Sequence, residues 1–307
     1  MTARNVTTRF IKETTLGTTP VAGVWDFFPI AGGGGLTAKP VTIESNTKNA
    51  NRGKSAPLLV GRDITGTLPA NFRADQFDTL IEAVFLGAFS AGTLNNGSTE
   101  SSFTFESDFT DDLTSKYIAY PGVRIDTMTF KWSNRGVATI SFTVMGLTSD
   151  SDNSASLVGA GSTTALSTNR EMTVIDVSGI SIGGATTYCL ESLEFTISNN
   201  RDAKICAGTA LGDVTDNLAG SFSVTGSMTV ATTDSSWDLI AKKDAQTSVP
   251  ITFDIGDGTT SYNFDFHETS IEFADPIDAG QDESVILDIT FSAYNNSSDL
   301  MATCIKT

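Results

Sequence analysis

His267 is the only histidine in the chain, and it lies between two carboxylates, Asp265 and Glu268. A histidine beside an acid can activate a hydroxyl nucleophile, the acid orienting the ring while the ring takes the proton. The alternation of Tyr262 to Phe266 predicts a strand there, where a histidine is more commonly structural. Gly53-Lys54-Ser55 has the ending of a phosphate-binding loop, but that motif needs a glycine where the chain has Lys48. The four glycines Gly32 to Gly35 precede no such ending and no evident helix. Asp254, Asp257 and Gly258 resemble part of a calcium loop without its spaced oxygen ligands and closing glutamate, and Asp257-Gly258 is a strong hairpin turn. Asp108, Asp111 and Asp112 form an acidic cluster, either a solvated loop or charge lining a channel. Cys189, Cys206 and Cys304 are odd in number and match no metal-site spacing, as free thiols of a reducing cytoplasm would. No acid–base–nucleophile set is complete, so neither enzymatic activity nor a cofactor is expected.

The elements that would position these groups are mostly strands. Thr, Ser, Val, Ile and Phe are abundant, Gly numbers 27 and Pro 8 in 307 residues. One pattern occurs twice. Val41 to Ser45, Asp63-Ile-Thr-Gly-Thr-Leu68 and a helix over 74–86 read as strand, strand, helix. Leu193 to Ser198, Phe222-Ser-Val-Thr-Gly-Ser-Met228 and a shorter helix, Asp234 to Lys243, repeat that order. Phe77, Leu80, Ile81, Val84 and Phe85 make one apolar face of the first helix, with Gly87 as its left-handed stop. The second helix would be capped by Asp234 and bury Trp237, Ile240 and Ala241. The strands flanking the Asn-, Lys- and Arg-rich stretch 46–55 would pair as a long hairpin. Val285 to Tyr294 mirrors Ala138 to Met145, extending the repeat to whole domains. The Ser-, Gly- and Asp-rich stretch suggests a first domain over 1–150, a linker over 151–170 and a second domain over 171–307.

Net charge is −17, and it is uneven. Residues 1–150 hold 13 Lys+Arg against 14 Asp+Glu; residues 151–307 hold 6 against 22. Such acidity disfavours tight nucleic-acid binding, which needs clustered cations. No secretory leader and no membrane-spanning run is evident, which suggests assembly in the cytoplasm.

Glu13-Thr-Thr-Leu-Gly-Thr-Thr-Pro20 with Trp25 and Phe28-Pro29, Arg52, Asp63 to Leu68, the helix Gln76 to Leu86 and Tyr120 to Phe130 together resemble the tail tube proteins of long-tailed bacteriophages. The close, Phe264 to Tyr294, resembles their C-terminus. The resemblance implies a small β-sandwich or split barrel with one flanking helix, here present twice in tandem, giving strands to a β-barrel shared between subunits. It implies stacked rings forming the hollow conduit for DNA, with a tape measure protein and a tail terminator as partners and no membrane contact. The family's N-terminal arm maps onto 1–20 and its hairpin onto 44–62, which makes Glu13, Leu16, Pro20, Asn46, Lys48, Arg52, Lys54 and Arg62 the candidate assembly residues. Two folds per chain suggest a trimeric, pseudo-hexameric ring. A channel that must not hold DNA is expected to be net negative, mainly through the second half, with Asp108, Asp111 and Asp112 as possible lumen acids. The alternatives are the tube of a contractile tail or related injection device and, in another class, a secreted β-sandwich adhesin.

Overall fold

The computed structural model describes residues 6–47, 53–110, 113, 116–186, 188–206, 213–277 and 285–307. The first half folds as β1 (Thr7–Lys12), β2 (Val24–Phe28), β3 (Gly35–Ile43), β4 (Leu58–Asn71), α1 (Asp78–Phe85), β5 (Thr93–Asn95), β6 (Phe103–Asp108), β7 (Tyr117–Ser133) and β8 (Thr139–Gly146). β9 (Asp150–Asn153) and β10 (Ser162–Thr163) follow. A short 3-10 turn (Val174–Asp176) then leads to β11 (Val177–Ile182), β12 (Leu190–Ser198), β13 (Asp202–Ile205), β14 (Val214–Leu218) and β15 (Ser223–Ala231). The chain finishes with α2 (Asp234–Asp244), β16 (Ile251–Gly256), β17 (Ser261–Phe266), β18 (Thr269–Glu272), β19 (Ile286–Ala293) and β20 (Ala302–Lys306).

Eight strands form one continuous sheet in the order β3, β4, β8, β7, β12, β15, β19, β18, each antiparallel to its neighbours. The first half supplies four and the second half four. They meet at the β7–β12 pair, where Trp132 faces Leu193, Phe130 faces Phe195 and Met128 faces Ile197. The 17 residues of β7 make this possible. Tyr117 to Val123 pair with β6 and β9; from Arg124 the strand pairs with β8 through a bulge between Ile125 and Thr127, and from Thr127 it also pairs with β12. Among the described residues no barrel closes, and β3 and β18 each have a partner on one side only.

Alternation of period two decides which side of this sheet is buried. Leu193, Phe195 and Ile197 of β12 are buried while Glu194, Thr196 and Ser198 between them are not. On the buried side lie α1 and a second sheet, β11, β16, β17, β20, β5, which again mixes the halves. Phe130 sits in the middle of the core, its ring centroid 5.4 Å from Phe72, 5.4 Å from Phe195, 6.0 Å from Phe253 and 5.9 Å from Phe264. Each such ring pair adds about 0.5–1.5 kcal/mol beyond area burial. A polar tie reinforces the packing: Tyr262 donates to Asp78 Oδ1 (2.6 Å) and accepts from the Asp75 amide (2.9 Å), while Lys306 Nζ lies 2.6 Å from Asp75.

Several local expectations need correction. The first helix begins at Asp78 because Asp75 adopts φ 63°, and Leu86 rather than Gly87 takes the left-handed stop at φ 52°. The N-cap of α2 is Thr233, whose hydroxyl accepts from the Ser236 amide while Ser236 Oγ accepts from the Thr233 amide. α2 buries Ser236 and Leu239 and leaves Trp237 57 % exposed, because the stripe 236, 239, 243 faces the protein. Lys243 completes that stripe, its Nζ 4.9 Å from the Phe273 ring centroid. Within the 151–170 stretch, Ser162 of β10 pairs in parallel with Val24 of β2. Gly35–Ile43 pairs along Leu58 to Thr67 on either side of the stretch 46–55, of which residues 48–52 lie outside the described residues.

Candidate functional site

The face of the eight-stranded sheet that points away from the core is lined by hydroxyls. Ser141, Thr129, Thr196, Thr225, Ser292 and Ser270 lie opposite one another, in that order, across six strands. The Oγ1 atoms of Thr129 and Thr196 are 2.9 Å apart over the join between the halves. The adjacent row runs Thr139, Lys131, Glu194, Ser227, Thr290, Glu272. Lys131 Nζ and Glu194 Oε2 are 2.9 Å apart, an exposed pair worth less than about 1 kcal/mol. Thr229 Oγ1 donates to Asp288 Oδ1 at 2.9 Å. Among the described residues, exposed Lys39 and Lys131 lie on this face with the carboxylates of Asp63, Glu194, Glu272 and Asp288, three of them from the second half. A shallow depression over Thr196, Thr225, Ser227 and Thr290 makes the face concave there. Hydroxyls spread over such a surface exchange hydrogen bonds with water and passing polar groups, while sparse charge of mostly one sign gives polyanions no anchoring cluster.

The repeated Thr-Gly-Thr/Ser kernel builds this face. Thr65, Thr67, Thr225 and Ser227 point outward, and the glycines between them allow close strand approach. A Cβ on Gly66 would stand 2.5 Å from the Gly35 carbonyl oxygen, and one on Gly226 would stand 2.6 Å from the Glu194 carbonyl oxygen and 2.4 Å from the Phe291 ring. Ordinary Cβ contacts begin near 3.4 Å, so both positions accept only glycine without a shift.

The sequence-derived assembly residues are scattered. Glu13 is buried, its carboxylate accepting from the amides of Gly17 (2.8 Å) and Gly122 (2.9 Å) and the hydroxyls of Ser102 (2.8 Å) and Thr104 (2.7 Å). Leu16 and Pro20 are half-buried on the following loop. Asn46 and Lys54 are exposed, Lys54 pairing with Glu44 at 3.0 Å, and Arg62 donates to the Ser149 carbonyl at 3.4 Å. Lys48, Arg52, Asp111 and Asp112 lie outside the described residues. Asp108 is on β6, away from the hydroxyl face, paired with Arg9 and accepting from the Thr110 amide at 2.9 Å.

His267 does face an acid and a hydroxyl. Its Nδ1 lies 3.3 Å from Asp265 Oδ2 and its Nε2 lies 2.8 Å from Thr303 Oγ1. Thr303 Oγ1 also donates to Asn95 Oδ1 at 2.9 Å, a second partner that competes with the ring for its single proton. Burial pushes the Asp265 carboxyl up, opposed by the histidine charge, and Thr303 is itself buried. Among the described residues no group of three or more His, Cys, Asp or Glu could hold a metal ion, and no helix is long and apolar enough to cross a membrane. Cys189 and Cys206 are exposed, Cys304 is buried, and the three form no disulfide with one another.

In the sequence, the only local signal of the hydroxyl rows is the alternating Ser and Thr of β7, β12, β15 and β19. No curated protein matches the chain. Residues 3–293 match the family model described as phage tail tube protein. The match spans nearly all of both halves and agrees with the β-rich fold and its open-edged sheet, and it lends no support to the adhesin or contractile-tail readings. The chain belongs to the phage tail tube protein family, and its role is that of a structural component of the tail tube.

Proposed function

We propose that the two halves are copies of one unit occupying neighbouring positions in the tube wall, so that three chains close a pseudo-sixfold ring and rings stack around a DNA channel. The observation that carries this reading is the order of the shared sheet: β3, β4, β8, β7 from one half is followed by β12, β15, β19, β18 from the other, with a kernel strand second in each set. Free sheet edges invite pairing, and ring closure removes them. Because both halves lie in one sheet, the second half does not read as an outward decoration. The hydroxyl face lines the channel, with Glu194, Glu272 and Asp288 making it net negative; Asp108, held by Arg9, has no part in it.

The role is non-catalytic. The chain assembles in the host cytoplasm, meets a tape measure protein and a tail terminator, and uses its N-terminal arm and the ribbon around residues 41–60 to contact neighbours. Val41, Ile43, Leu58, Leu59 and Val60 on that ribbon are exposed apolar side chains that a neighbour would cover. Electron microscopy of the purified protein should show hollow tubes of stacked rings, and deleting residues 46–56 should impair stacking. Monodisperse monomers that bind sugar, or normal tubes from the deletion variant, would contradict this reading.

A further inference from the structure

The join inside the chain specifies the join between chains. The kernels put Thr65 in register with Thr225, and the pairings then carry Thr37 onto Thr196, Lys39 onto Ser198 and Ile125 onto Ile271. Asp126, the extra residue of the β7 bulge, has no counterpart in β18, so Thr127 corresponds to Glu272. Across the internal join, Thr127 faces Ser198, Met128 faces Ile197 and Thr129 faces Thr196. Eight antiparallel strands leave the two edges running in opposite directions, so copies in the same orientation meet antiparallel, as β7 and β12 do.

We propose that β18 and the residues just after it pair with β3 of a second copy in this register: Glu272 opposite Lys39, Phe273 opposite Ala38 and Ala274 opposite Thr37. The proposal rests on the tube reading above and adds the residues that choose the neighbour. Three observations support it. The register, fixed by kernels far from either edge, brings an acid against a base, as Lys131 meets Glu194 across the internal join at 2.9 Å. On the core side it sets the half-buried Phe273 against the small, exposed Ala38. Residues 273–277 are not in a strand within the lone chain, and an edge partner would extend β18 through them.

Cysteine trapping tests the register. With Cys189 and Cys206 replaced by Ser, the pair Thr37→Cys and Ala274→Cys should form an intermolecular disulfide in assembled tubes under mild oxidation, giving mostly covalent rings on a denaturing gel. The control pair Val41→Cys and Ala274→Cys, four residues out of register, should give almost none. Independently, Lys39→Glu or Glu272→Lys alone should lower tube yield roughly tenfold, and the double reversal should recover most of it. Tubes that form without the Thr37–Ala274 crosslink, or a double reversal no better than the single ones, would overturn this register while leaving the tube reading standing. Failure of the unaltered chain to form tubes would instead overturn the tube reading.

Discussion

The strand segments Ile64 to Leu68 and Val224 to Met228 occupy the same place in their half-sheets, yet their surroundings differ. Both have a glycine pressed against a neighbouring strand, outward hydroxyls on either side and inward apolar residues beyond. The helix that follows the first, α1, is buried along Leu80, Ile81, Val84 and Phe85; the one that follows the second, α2, exposes Trp237. The first half is nearly neutral, with 13 cations against 14 anions, and the second holds 6 against 22. What the two share is what close strand packing demands. Where they differ, mostly at surfaces, the sheet sets no requirement and each half is free to meet a different neighbour.

The largest expected effect tests whether the halves are energetically one. Phe130→Ala removes a ring that touches Phe72 in its own half and Phe195, Phe253 and Phe264 in the other, and should cost about 3–5 kcal/mol. Thermal unfolding should remain a single transition at lower temperature; two separated transitions would mean that the halves fold independently. Next is Glu13→Ala, which leaves two amides and two hydroxyls without their acceptor and should cost about 3 kcal/mol. An assembly-only role for Glu13 would instead leave the melting temperature unchanged and abolish tubes.

Gly66→Ala and Gly226→Ala sharpen the comparison between kernels. Each forces a Cβ against backbone at 2.5 and 2.6 Å, and each should cost about 1–3 kcal/mol by similar amounts. A loss at one site only, measured by denaturant unfolding, would separate the two environments. The smallest effect belongs to the turn that opens the second half. Hydrogen bonds from Arg170 and the Thr173 amide hold the Asp176 carboxyl below its ordinary value of 3.8. Its contribution is therefore complete above pH 3.8 and is lost as pH falls through the lowered value. Asp176→Asn should lower stability by about 1 kcal/mol at pH 7 and flatten the decline below pH 4; an unchanged acid limb would contradict that origin.

The strands were legible because alternation of period two is local: β7, β8, β12 and β19 show it residue by residue. The site was less legible. Nothing local says that Thr129 meets Thr196, because register between distant strands depends on how the whole sheet packs. Glu13 reads as one more polar residue on an arm, since its acceptor role depends on Ser102, Thr104 and Gly122, remote in sequence. Trp237 misled because large apolar residues usually face inward, whereas the stripe through Ser236 and Leu239 set the rotation of α2.

A symmetry-resolved cryo-electron microscopy map of assembled tubes tests most directly whether one chain supplies two neighbouring wall positions. Three chains per ring are expected, with Thr129, Thr196 and Thr225 facing the channel and β3 of each chain beside β18 of the next. Six chains per ring, with β12, β15 and β19 outside the wall, would contradict it.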